Sequence, residues 1–148
     1  MRQLYTEIEI EAPAERVWAI LTDFAHFSEW NPFIRSIEGK PESGSRLRVQ
    51  IQPPGASAMT FRPKVLRAAP PEELRWKGHF MLPGLFDGQH TFKIEPLEPG
   101  RVRFIQREKF SGVLTPFLAN SLENNTKRGF KEMNQALKAR SESAPHAR

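Results

Sequence analysis

The chain has 148 residues, 39% of them hydrophobic, with 22 Lys and Arg against 17 Asp and Glu, a net charge of +5 and no cysteine. That length suits one domain with a single core, and the lack of cysteine excludes a disulfide framework, a thiol nucleophile and thiolate zinc sites. The basic residues are interleaved with acids, without a Lys/Arg run or an aromatic-basic repeat, so they read as a solvated surface and not as a nucleic-acid face.

Residues 4–10 set Tyr5, Glu7 and Glu9 on one side and Leu4, Ile8 and Ile10 on the other, the period-two signature of a half-buried strand. The N-terminus lacks the apolar core of a signal peptide, and no stretch approaches the ~20 apolar residues of a membrane span. A cytoplasmic protein without stable membrane insertion is expected. Pro13 opens a helix with Glu15 in its first turn and Val17, Trp18, Ile20 and Leu21 as its apolar face. A second short helix is expected over residues 24–29. In Trp30-Asn31-Pro32-Phe33 the proline disfavours helical geometry at Asn31, so the chain leaves in extended form into a strand over 33–38.

Residues 45–52 alternate Leu47, Val49 and Ile51 with Arg46, Arg48 and Gln50, a strand with one wet face. Further strands are predicted over 59–67, 74–80, 85–97 and 101–110, separated by Ala69-Pro70-Pro71, Leu82-Pro83-Gly84 and Glu98-Pro99-Gly100. Short turns between consecutive strands imply an antiparallel meander.

Residues 115–139 predict one long helix, with Thr115 as its cap, Pro116 at its first position and Leu118, Leu122, Phe130, Met133 and Leu137 at helical spacing. At ~1.5 Å per residue it spans ~36 Å. Asn125, Thr126 and Gly129 interrupt the apolar stripe, although a mid-helix glycine costs roughly 1 kcal/mol. Either the face lines a space here, or a strand backbone or large aromatic approaches closely at Gly129. Residues 141–148 form a polar tail expected to be disordered, which leaves a domain over 1–140. The expected class is therefore α+β: a seven-stranded curved antiparallel sheet around a long C-terminal helix, with two short helices after the first strand.

This order resembles the helix-grip fold of the START-like superfamily of polyketide cyclases and lipid-transfer proteins. The similarity extends to Ile10-Glu11-Ala12-Pro13-Ala14-Glu15-Arg16-Val17-Trp18, Leu21-Thr22-Asp23-Phe24, Trp30-Asn31-Pro32-Phe33, Gly88-Gln89-His90-Thr91-Phe92 and Glu108-Lys109-Phe110-Ser111-Gly112. The resemblance implies a deep cavity between sheet and helix for a small hydrophobic ligand. It leaves function open among binding proteins, cyclases and co-chaperone activators.

Phe86, Gly88, His90, Phe92 and Ile94 share one strand face, as do Val102, Phe104, Gln106, Glu108 and Phe110. A hairpin closing at residues 97–100 sets His90 opposite Glu108 and Phe92 opposite Gln106, and the preceding hairpin sets Trp76 beside His90. His90 with Glu108 is the one candidate acid/base constellation. It reads as a structural pair, a ligand-orienting pair or a catalytic pair, while Trp76 and Phe92 read as core or as ligand platform. The candidate binding set is Trp76, Phe86, His90, Phe92, Phe104, Gln106, Glu108 and Phe110 from the strands, with Leu122, Asn125, Thr126 and Gly129 from the helix.

His26, His79, His90 and His146 are too dispersed for a local metal motif, and His79 has outward parity. No nucleophile elbow, phosphate loop or dinucleotide fingerprint is present, so no cofactor or metal is expected. Loops over 53–58, 82–86 and 112–114 are candidate entrances, with Leu82, Leu85 and Phe86 as either an apolar gate or an ordinary cap. The leading expectation is a carrier or sensor of a small apolar or aromatic molecule, acting as a monomer or homodimer. Its rivals are a cyclase or dehydratase using His90 and Glu108, and a co-chaperone-like partner module.

Overall fold

A computed structural model describes residues 2–79 and 82–143, and of Leu122 and Glu123 the backbone alone. Strand β1 (Arg2–Ile10) is followed by α1 (Ala14–Thr22), a 3-10 turn (Phe24–His26) and α2 (Phe27–Trp30). Then come β2 (Ile34–Glu38), β3 (Arg48–Ile51), β4 (Met59–Phe61), β5 (Lys64–Ala69), β6 (Glu73–His79), β7 (Asp87–Glu98) and β8 (Arg101–Ser111). Two antiparallel sheets result among the described residues, β1-β8-β7-β6-β5 and β2-β3-β4.

Among the described residues the strands number eight where the sequence predicts seven, because the predicted strand over 59–67 divides at Arg62-Pro63. Proline cannot give a ladder hydrogen bond and fixes its own φ, so β4 stays with β3 while β5 turns to pair with β6. The two sheets remain stitched at this seam. The Leu47 amide donates to the Pro63 carbonyl at 2.8 Å, and the Val65 amide to the Ser45 carbonyl at 2.8 Å. The expected hairpin registers are present: His90 opposes Glu108, Phe92 opposes Gln106 and Trp76 opposes His90. Phe80, the last residue of the predicted 74–80 strand, lies outside the described residues, as do residues 144–148 of the predicted tail.

The C-terminal helix departs from prediction at both ends. It opens as a 3-10 turn (Thr115–Leu118), continues as the single turn α3 (Ala119–Ser121), widens into a π segment (Leu122–Thr126) and becomes regular only as α4 (Lys127–Glu142). Thr115 does not cap it: Leu114 holds that position, and the Thr115 hydroxyl is buried without a hydrogen-bond partner. The helix runs through Glu142 because its end is held. Arg16 of α1 donates from Nε to the Ser141 carbonyl at 2.5 Å and from Nη2 to the Arg140 and Ser143 carbonyls at 3.2 and 3.0 Å, supplying partners to the orphan acceptors of a helix terminus. Glu142 accepts from the Glu11 amide at 2.8 Å and from Lys138 at 2.6 Å, which holds its carboxyl below the usual glutamate range.

Helix α4 buries Gly129, Phe130, Met133, Asn134 and Leu137 and packs on β1 and α1. Asn31 is in extended conformation, as expected before Pro32. Its side-chain Oδ1 accepts from the Phe33 and Ile34 amides at 2.9 and 2.8 Å, turning the chain so that the Phe33 ring meets Phe130 edge-on, with centroids 5.6 Å apart. The same ring occupies the space where a Cβ at residue 129 would stand. Gly129 is therefore a close-approach glycine and not a wall of the cavity.

Gly129→Ala should destabilise the protein by up to ~2 kcal/mol, because the Phe33 ring already fills the space of the added Cβ, and overpacking at ~1–3 kcal/mol is offset by only ~1 kcal/mol of helix propensity. Urea denaturation measures this, and Phe33→Leu in the same chain should recover part of the loss.

Candidate functional site

Between the sheets and the C-terminal helix lies a cavity of about 310 Å³, at the lower end of the ~300–1,000 Å³ range of ligand pockets. One wall comes from β6, β7 and β8: Trp76, His90, Glu108 and Phe110, with Phe86 just before β7. The opposite wall comes from Ile34, Val49, Ile51 and Phe61 on β2, β3 and β4. The roof comes from Leu114, Leu118, Ser121 and Thr126, and Phe33 closes one side. Strand parity explains the wall composition, since alternate side chains of each antiparallel strand turn inward. Phe86 stacks on Phe110 with centroids 5.4 Å apart and ring planes 3° from parallel, and Trp76 stands 5.8 Å from the His90 ring.

The predicted binding set divides in two. Trp76, Phe86, His90, Glu108, Phe110 and Thr126 line the cavity. Phe92, Phe104, Gln106, Asn125 and Gly129 do not. Phe92 is buried behind His90, stacked on it at 4.1 Å, and Phe104 is buried behind Phe92. Gln106 is fully buried, and Asn125 is half-buried away from the lining. The side chain of Leu122 lies outside the described residues. The second wall went unread because Val49 and Ile51 were seen only as the dry face of a strand. Their inward parity was the available signal, but parity cannot separate packed core from a wall facing space.

One polar corner interrupts this apolar lining. His90, only 4% exposed, has Nδ1 3.2 Å from Glu108 Oε1 and Nε2 2.9 Å from Gln106 Oε1. Gln106 Nε2 donates to the Phe130 carbonyl at 3.1 Å and to Asn134 Oδ1 at 2.8 Å. Asn134 Nδ2 donates to Thr6 Oγ1 at 3.0 Å. A hydrogen-bonded chain thus runs from the cavity wall through the core to β1. Glu108 fits because residue 88 is glycine: a Cβ there would overlap Glu108 Oε2. Thr6 and Asn134 were missed, although each is a polar residue at an inward position of its own period.

His79 is exposed, yet it also borders the cavity, so its parity does not turn it wholly away from the site. The loops over 82–86 and 112–114 are joined by hydrogen bonds from the Val113 amide to the Gly84 carbonyl and from the Leu114 amide to the Leu85 carbonyl, at 3.1 and 3.0 Å. Leu82, Val113 and Phe117 stand exposed on and beside them, next to the lining residues Phe86 and Leu114. No helix among the described residues is long and apolar enough to cross a membrane.

A curved antiparallel sheet that clasps a long C-terminal helix, with an apolar chamber between them, defines a helix-grip protein. The chain belongs to the polyketide cyclase/dehydrase and lipid transport family, whose model matches residues 1–142. No match was found among curated protein sequences. Among solved structures it is similar to a hypothetical protein from Helicobacter pylori, with 20% identity, 95% of this chain and 88% of that chain covered and a TM-score of 0.77. A START superfamily protein from Mycobacterium smegmatis is 21% identical over 95% of this chain and 97% of that one, with a TM-score of 0.72. The Zhui aromatase/cyclase from a Streptomyces species is 20% identical over 95% of this chain and 93% of that one, with a TM-score of 0.73. At these identities the likeness shows the shared fold.

Asn134→Leu should cost ~2 kcal/mol of stability, because it strands a Gln106 amide hydrogen and the Thr6 hydroxyl inside the core. Chemical denaturation of the variant beside Thr6→Val, which removes only the terminal link, checks the order: Asn134→Leu should be the more damaging.

Proposed function

We propose that this chain binds a small, largely apolar or aromatic molecule between the sheets and the C-terminal helix. The observation that carries this reading is the composition of the 310 Å³ cavity: mostly aromatic and aliphatic walls with a few polar side chains, His90 and Glu108 among them, the usual makeup of a site that gains affinity from apolar burial and orientation from a few hydrogen bonds. Trp76 and the stacked Phe86 and Phe110 supply flat apolar surface, and Glu108 with His90 orients the bound molecule. A molecule of one or two fused rings suits the volume. The apolar side chains at Leu82, Val113 and Phe117 favour approach by a poorly soluble ligand.

A second reading, cyclisation or dehydration of a carbonyl compound, is favoured by the placement of His90 and Glu108 on the cavity wall. The aromatase/cyclase among the similar structures supports the same reading. In a dehydration the pair would take a proton from the carbon next to the carbonyl of a β-hydroxy ketone. The pair would hand that proton to the departing hydroxyl, which leaves as water and gives the enone.

Titration with the neutral fluorescent probe N-phenyl-1-naphthylamine should give saturable one-to-one uptake. Ile51→Trp, which fills the cavity from a half-buried position, should weaken uptake at least ~10-fold without loss of folded structure. Uptake unaffected by Ile51→Trp, or no uptake by the native chain, would remove the binding reading. Turnover of a β-hydroxy ketone that His90→Gln abolishes while probe uptake persists would establish the second reading.

A further inference from the structure

The Gln106 amide has its orientation decided by a group that can only accept. Its nitrogen must face the Phe130 carbonyl, 3.1 Å away, and the same nitrogen reaches Asn134 Oδ1 at 2.8 Å. Both amide hydrogens are engaged, so Oε1 is the atom left facing His90 Nε2 at 2.9 Å. An amide oxygen accepts, and Nε2 must therefore carry hydrogen.

That assignment has a consequence at the other nitrogen of the ring, which lies 3.2 Å from Glu108 Oε1. A neutral imidazole with hydrogen on Nε2 leaves its Nδ1 lone pair as an acceptor beside the Glu108 carboxyl.

We infer that the Phe130 carbonyl, acting through Gln106, fixes the ring hydrogen of His90 on Nε2, and that this corner of the cavity wall therefore accepts and does not donate. The Nε2 hydrogen is spent inside the core on Gln106. What remains beside the cavity is Nδ1 and the Glu108 carboxyl, its Oε2 seated over Gly88. The corner selects an apolar or aromatic molecule that carries a hydrogen-bond donor, such as a phenol, an alcohol or an amine. Gln106 is a positioning residue for this selectivity and does not itself line the cavity. The selectivity rests on the cavity reading, whereas the tautomer stands on the hydrogen-bond pattern alone.

Two measurements separate these parts. Long-range proton–nitrogen spectra of protein labelled with nitrogen-15 in its histidine rings report which nitrogens of His90 carry hydrogen. Native protein should show Nε2 protonated, and Gln106→Leu, which removes the acceptor, should shift hydrogen to Nδ1. Native spectra with hydrogen on Nδ1 and none on Nε2 would overturn the tautomer even if Gln106→Leu fails to fold.

Calorimetric titration with 2-naphthol and the size-matched 2-methylnaphthalene tests selectivity. The naphthol should bind at least ~10-fold more tightly, as for a hydrogen bond to a charged group, and Glu108→Leu should erase the difference. Gly88→Ala, which displaces the carboxyl from its seat, serves as the second variant and should reduce the same ratio. Equal affinity in the native chain overturns the selectivity. Uptake of neither probe overturns the cavity reading and the selectivity with it, while the ring spectra still decide the tautomer.

Discussion

The structure depends on one buried amide. Gln106 of β8 joins three elements at once, giving hydrogen to the Phe130 carbonyl and Asn134 of α4 and receiving it from His90 of β7. Asn134 extends the connection to Thr6 of β1. Apolar contacts between a helix and a sheet are non-directional and tolerate sliding, but a buried polar group left without its partner costs ~1–3 kcal/mol. A shift of α4 along its axis would break several of these bonds together. The chain of amides therefore sets helix position, and the apolar residues around it fill the space that this position defines.

Phe33 acts on the other side of the helix. The turn at Asn31 delivers its ring into the groove that Gly129 leaves open, so the helix rests on an aromatic edge where it faces β2. Beside that contact a space remains between Thr126 of the helix and Val49 and Ile51 of β3, and it becomes the chamber. The π segment Leu122–Thr126 falls where the helix passes from packed contact to roofing this space, consistent with the frequent occurrence of such segments at functional sites. The two explanations for the interrupted apolar stripe thus apply to different residues: Thr126 lines the space, and Gly129 admits a ring.

Much of this was legible in the residues themselves. Period-two alternation with short turns located the strands and even the registers, because a one-residue slip would have put Phe92, Phe104 and Phe110 into water. What escaped were features that no local pattern encodes. The division of residues 59–67 rests on which neighbour can use the backbone of Pro63. The failure of Thr115 as a cap rests on Leu114 taking that position. Depth along an inward face separates Phe92 and Phe104, which sit against the helix core, from Trp76 and Phe110, which face the chamber, and depth is a property of the assembled sheet.

Arg16 gathers three carbonyls at the far end of α4, and Glu142 is tied to the start of α1 through the Glu11 amide. The near end is wound successively as 3-10, α and π turns. In mechanical terms the element is a cantilever, built into its support at one extremity and lightly braced at the other. Changes to the overhanging portion therefore resize the chamber while the anchored portion keeps its bearings, so the chamber can be reshaped over evolution without the scaffold being recast.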